Sequence, residues 1–67
     1  MTYEEIKDYI GKKTVVTIKN GKKFRGVITN TESEFDTTSG KEEIELDTGK
    51  VFYGIPFDEI KSILEIQ

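Results

Sequence analysis

Between residues 11 and 30 stand six cations and no acid: Lys12, Lys13, Lys19, Lys22, Lys23 and Arg25. Cationic side chains at this density suit anion recognition, with nucleic acid the natural polyanion; each phosphate contact adds about −0.7 to −0.9 to the log–log salt slope of binding. An exposed aromatic ring beside such charges adds base stacking. Val51-Phe52-Tyr53-Gly54 offers one, because alternation turns Phe52 and Tyr53 to opposite sides, and Phe52 is the better candidate for exposure. The candidate binding set is therefore these six cations with Phe52. Each member also has a plainer role. Strand charges on a small domain usually face water, and Phe52 can pack beneath an N-terminal helix with Tyr3.

Other chemistries find little to work with. There is no Cys and no His, which removes thiol and imidazole nucleophiles, imidazole acid–base catalysis and the common zinc ligand sets. Glu43, Glu45 and Asp47 fall on alternate positions of a strand-like run and lack the loop with carbonyl ligands that calcium favours. Paired carboxylates for hydrolysis need a cleft that so small a domain can hardly enclose. The reading is a non-enzymatic protein without cofactor or metal. The net charge of −3 conceals an uneven layout: residues 11–30 carry +6, while residues 31–67 hold ten acids against three lysines. Such asymmetry marks a basic face on an acidic body, unless the basic strands lie beside the acidic row and the charges pair across a sheet.

The elements that must position these residues are short. Sixty-seven residues make one domain, 1–67, with a core near the lower limit for independent folding. Thr2 with Glu5 forms a capping box, Tyr3, Ile6 and Ile10 share a face, and Gly11 supplies a left-handed stop, which predicts a helix over 3–10 lying across one end of a barrel. Next, TVVTIK and KFRGVIT alternate around Asn20-Gly21, predicting a hairpin with Thr14, Val16, Ile18, Phe24, Gly26 and Ile28 on one face. A two-residue Asn20-Gly21 loop would oppose Ile18 to Lys23 and bring basic side chains to the core, so an odd loop or a bulge pairing Ile18 with Phe24 is expected.

Gly26 in mid-strand predicts a sharp bend with close backbone approach. From Thr29 to Thr38 the pattern blurs: Phe35 breaks parity with Ile28, and a turn falls at Ser39-Gly40-Lys41. EEIELDTGKVFYGIP reads as a second hairpin with Ile44 and Leu46 inward, Glu43, Glu45 and Asp47 outward, and Val51, Tyr53 and Ile55 sharing a face. Pro56 ends that strand, Phe57 to Ile60 make one 3₁₀ turn, and KSILEI closes the chain. Strands are thus predicted at 13–19, 23–31, 42–47, 50–56 and 61–66, the layout of a mainly β, small, strongly bent five-stranded barrel.

Two segments carry a resemblance. IGKKTVVTIKNGKKFRGVI, with the helix before it, resembles the first motif of Sm and Sm-like proteins, in which a helix leads into a hairpin with a bent, glycine-containing second strand. YGIPFDEIKSILEI, with the GKKFRGVI strand, is similar to the C-terminal SH3-like barrel domain of the bacterial ribosome maturation factor RimP. The resemblance implies an Sm/SH3-like barrel and a partner that is RNA or a ribosomal or ribonucleoprotein component. The uridine-pocket pattern of Sm proteins is not matched: Glu32, Phe35 and Asp36 stand where Asp, Met and Asn would fall, and Tyr53 precedes Gly54 in place of Arg. The competing expectation is a protein-interaction or self-assembly module working through strand edges. The sequence contains neither an apolar leader nor a run of about 20 apolar residues, so no membrane role and a cytoplasmic location are expected.

Overall fold

The two alternating runs around Asn20-Gly21 become a hairpin in the computed structural model, which describes residues 1–66. Strand β1 spans Lys13–Ile18 and β2 spans Lys23–Glu32. Strands β3 (Glu43–Asp47) and β4 (Phe52–Pro56) form the second hairpin, and β5 (Ile60–Glu65) follows a 3₁₀ turn at Phe57–Glu59. Every ladder is antiparallel, and the strands make one five-stranded sheet in the order β4-β3-β2-β1-β5. The mainly β reading and the 3₁₀ turn before the last strand hold, and the strand limits fall within two residues of the predicted ones.

The first hairpin keeps the expected face but shifts its partners. Val16, not Ile18, lies opposite Phe24, and the Ile18 amide donates to the Lys22 carbonyl at 2.9 Å. The connecting loop is Lys19-Asn20-Gly21. Gly21 (φ +91°) donates its amide to the Ile18 carbonyl, and the Asn20 side chain accepts the Lys22 amide at 2.8 Å. An odd loop was required by face matching; this is the shortest common one, and its left-handed last position suits glycine. Its consequence is that Lys22 shares the side of Phe24.

Two irregularities and one glycine bend the sheet. Between Ile28 and Asn30 the register against β3 slips by one residue. Thr29 is the extra residue, its hydroxyl donating to the Glu45 carboxylate at 2.8 Å and the Glu45 carbonyl at 3.3 Å. A second slip lies between β1 and β5 at Thr17/Ile18, which lets Ile60 and Ile63 both reach the core despite their spacing. At Gly26 a β-carbon would stand 2.3 Å from the Asp47 carbonyl oxygen, so only glycine lets β2 pass this close to the end of β3. The buried Thr14, directly opposite, donates its hydroxyl to the Gly26 carbonyl at 3.2 Å.

Chain connection then dictates the overall curl. Strands β4 and β5 are the two sheet edges, and in a flat sheet four strand spacings would put them roughly 19 Å apart. The 3₁₀ turn Phe57–Glu59 joins them and covers only about 8 Å at about 2.0 Å per residue. The sheet must therefore curl enough to bring the end of β4 near the start of β5. It rolls around Val16, Ile28, Ile44, Leu46, Ile55, Phe57, Ile60 and Ile63, with Ile6 closing the same cluster.

Ile6 comes from a helix shorter than predicted. Helix α1 covers Tyr3–Ile6 and tightens into a 3₁₀ turn at Lys7–Tyr9 before Gly11 (φ +87°) ends it. Tyr3 does not join the apolar face and is exposed, while Met1, Tyr9 and Ile10 pack against the core. Ile10 is held by a bridge to Ile28, and two turns of helix have little stability apart from such contacts. The capping box forms, the Glu5 carboxylate accepting the Thr2 amide at 2.9 Å and its hydroxyl at 3.2 Å.

The bonds from Thr2, the backbone amide foremost, hold the Glu5 carboxyl below its ordinary value of 4.5. A depressed carboxylate stabilises the fold above its unfolded pKa and loses that contribution as pH falls through the folded one. Glu5→Gln is accordingly expected to lower the urea midpoint at neutral pH and to match the parent at an acid pH below the depressed folded value. An equal gap at both pH values would show that the carboxylate charge is not what holds the cap.

Among the described residues, no helix is long and apolar enough to cross a membrane, and no group of three or more His, Cys, Asp or Glu side chains is placed to hold a metal ion.

Candidate nucleic-acid interface

The hairpin register sorts the six cations. Lys13, Lys23 and Arg25 lie on the outer face of β1 and β2, where Arg25 is opposite Val15, Lys23 opposite Thr17 and Lys13 opposite Val27. Lys13 and Arg25 are thus diagonal neighbours within reach of one ligand. They line a groove of about 410 Å³ with Gly26, Val27, Asp47, Thr48, Gly49 and Ile66. Leu64, exposed on β5, extends the same face beside Val15.

The other three separate. Lys12 is ion-paired with Glu65 at 3.5 Å. Lys19 is exposed in the hairpin loop, its amide donating to the Glu59 carbonyl at 3.0 Å. Lys22 turns to the other side of β2, its ammonium 5.2 Å from the centroid of the Phe24 ring. The structure brings together Lys13, Lys23 and Arg25, with Lys22 at the same hairpin, and not all six on one face.

Whether the basic strand neutralises the acidic row is decided by register. Glu43, Glu45 and Asp47 do face outward, but they oppose Glu32, Asn30 and Val27 of β2. The β2–β3 ladder begins only at Val27, beyond Lys23 and Arg25. Among the described residues the ion pairs are Lys7–Glu4, Lys12–Glu65 and Lys41–Asp58, so Lys13, Lys19, Lys22, Lys23 and Arg25 have no carboxylate of a described residue within 4.0 Å. Asp47 is the nearest acid of the row to Arg25 by register, and one of its oxygens accepts the Gly49 amide at 2.7 Å.

The aromatics also divide. Phe52 is 65% exposed and is not packed beneath the helix with Tyr3. It lies opposite Asp47, so the acidic row separates it from the cations of β2. Tyr53, opposite Leu46, inclines toward the core end and packs on Phe24, ring centroids 5.0 Å apart at 56°. Tyr53 is 42% exposed and packs on Phe24, the ring beside the Lys22 ammonium. Sequence reasoning missed this cluster because Tyr53 had been assigned inward with Ile55. The inward side of β4 opens to solvent toward the β3–β4 turn: Val51, expected on that face, lies outside β4 and is exposed. Parity with Phe24 and Lys22, once a three-residue loop is assumed, was the signal available.

No family model, curated protein or solved structure matches the chain.

Proposed function

We propose that the chain is a non-enzymatic binding module, a small barrel of the Sm/SH3-like type set in the cytoplasm, that engages RNA or a ribonucleoprotein component through its first hairpin. One observation carries this reading: Lys13, Lys22, Lys23 and Arg25 extend from a braced hairpin without a carboxylate partner among the described residues, because the acidic row lies past them along β2. The barrel assignment is supported by the curl imposed by the short β4–β5 turn. The Lys22, Phe24 and Tyr53 cluster adds a ring beside a cation, the combination on which unpaired bases stack. Single-stranded nucleic acid therefore fits better than duplex.

Titration of labelled single-stranded oligonucleotides across salt concentrations tests the proposal. Four contacts give an expected slope of log K against log salt near −3, at about −0.7 per contact. Absence of binding at low salt would overturn it. Tyr53→Ala is expected to weaken binding about tenfold, in the range of one stacked base. Tyr53→Phe keeps the ring and should bind as the parent does; a loss equal to that of the alanine would assign the effect to the hydroxyl.

A second reading, self-assembly, has its own observation: an exposed aromatic, Phe35, among the acidic residues Glu32, Glu34 and Asp36.

A further inference from the structure

Phe35 is the most exposed large apolar residue of the chain, at 89%. Its exposure is not that of a loose tail. The Asp36 amide donates to the Ser33 carbonyl at 3.0 Å and the Ser33 hydroxyl to the Asp36 carboxylate at 3.0 Å. Further along, Thr37 donates to the Lys41 carbonyl at 2.8 Å and Lys41 pairs with Asp58 at 3.0 Å. An ordered turn thus holds a phenyl ring in water between Glu34 and Asp36, with Glu32 just before. Aromatic rings in such positions are characteristic of interface centres.

The molecule also carries a surface of the opposite character. The groove beside Lys13 and Arg25 is lined by apolar Val27 and Ile66, by Asp47, and by two cations without an ion-pair partner among the described residues. It suits a ring flanked by carboxylates. A phosphate alone would leave the apolar lining of Val27 and Ile66 uncovered.

The two features cannot meet within one molecule. The Phe35 turn follows the Glu32 end of β2, whereas the groove lies at Val27, five residues of strand or about 16 Å away. The turn is anchored further still from it, by Lys41 to Asp58 and by the Phe57 amide donating to the Glu42 carbonyl at 2.9 Å.

We propose that the Phe35 turn of one molecule inserts into the Lys13–Arg25 groove of a second copy, giving head-to-tail association. The inference deepens the self-assembly reading and rests on none of the nucleic-acid argument. The contact is heterologous, so each molecule in a row keeps one free turn and one free groove. One ring buries about 150–250 Å², far below the roughly 1,200–2,000 Å² of a stable interface, so association is weak, reversible and weakened by salt. It also occupies Arg25 and Lys13, which makes assembly and oligonucleotide binding compete.

Sedimentation velocity over a concentration series tests this. The wild type should show concentration-dependent species beyond the monomer at low salt, reverting to monomer near 1 M salt, where charges are screened within about 3 Å. Phe35→Ser and Arg25→Glu should each be monomeric with an unchanged thermal midpoint. An equimolar mixture of the two should give a dimer and nothing larger, because only the groove of the first and the turn of the second are intact. A monomeric wild type at the highest concentration would overturn the proposal. So would assembly that survives Phe35→Ser, which would point to strand-edge pairing, or a mixture that stays monomeric. Loss of oligonucleotide binding in Arg25→Glu leaves these outcomes unaffected, so the two readings fail separately.

Discussion

Replacing Gly26 by valine is expected to leave the chain largely unfolded at 25 °C, and Gly26→Ala to lower its urea midpoint markedly. The β-carbon would meet the Asp47 carbonyl oxygen at 2.3 Å, the Asp47 carbonyl carbon at 2.9 Å and the Thr48 Cα at 3.1 Å. All three are backbone atoms, and they can retreat only by opening the ladder in which Val27 faces Asp47. Overpacking of this kind costs about 1–3 kcal/mol, more where nothing can yield, against the roughly 3–5 kcal/mol that a domain of this size commands. Gly54→Ala is the control. Its β-carbon also meets an oxygen, Glu43 Oε1 at 2.5 Å, but that atom ends a flexible side chain that can swing aside. Unfolding followed by circular dichroism should show Gly54→Ala close to the parent. Equal effects at the two glycines would refute the distinction between yielding and unyielding neighbours.

Changing Lys22, Lys23 and Arg25 together to Glu is expected to reduce oligonucleotide affinity at least about a hundredfold at 0.1 M salt. At about −0.7 per contact, three lost contacts remove about two decades at that salt and lower the slope by about two. Repulsion from the new carboxylates adds to this. The side chains of Lys23 and Arg25 lie on the outer face and Lys22 beside Phe24, and surface changes of this kind usually move stability by no more than about 0.5 kcal/mol. The loss should therefore appear in binding and not in the unfolding midpoint. A triple Gln variant separates the parts, since it removes contacts without repulsion and should keep the reduced slope with a smaller loss of affinity. If the triple Glu variant binds as the wild type does, the hairpin is not the interface.

The legible parts of this fold were those governed by parity. Alternation placed Thr14, Val16, Ile28, Ile44 and Leu46 inside, and all five are fully buried. A core face is all-or-none in a strand, so a one-residue error would expose the whole set. Gly26 was legible for a related reason: a residue without a side chain in the middle of a buried row needs a close neighbour to justify it, and the neighbour proved to be the Asp47 carbonyl. What escaped was whatever depends on two segments at once. The slip at Thr29 that ends the parity of Ile28 is set by where β3 pairs, not by β2 alone. The grouping of cations was hidden similarly. Whether Arg25 meets the acidic row depends on the β2–β3 register, and whether Lys22 shares its face depends on one residue of loop length. Phe35 was seen as a break in pattern, but its exposure follows from a hydrogen-bonded turn between side chains of no fixed preference.

The arrangement of β1 has a kinetic consequence. It lies between β2, which follows within a few residues, and β5, whose Glu65 pairs with Thr14 from 51 positions away. As the chain leaves the ribosome, the first two hairpins can zip locally, but one edge of β1 and the Ile60 and Ile63 side of the core stay open until the last strand emerges. Long-range closure of this kind is slow, and an unpaired edge is what recruits foreign strands. Synthesis therefore passes through a sticky stage that ends only when β5 pairs with β1.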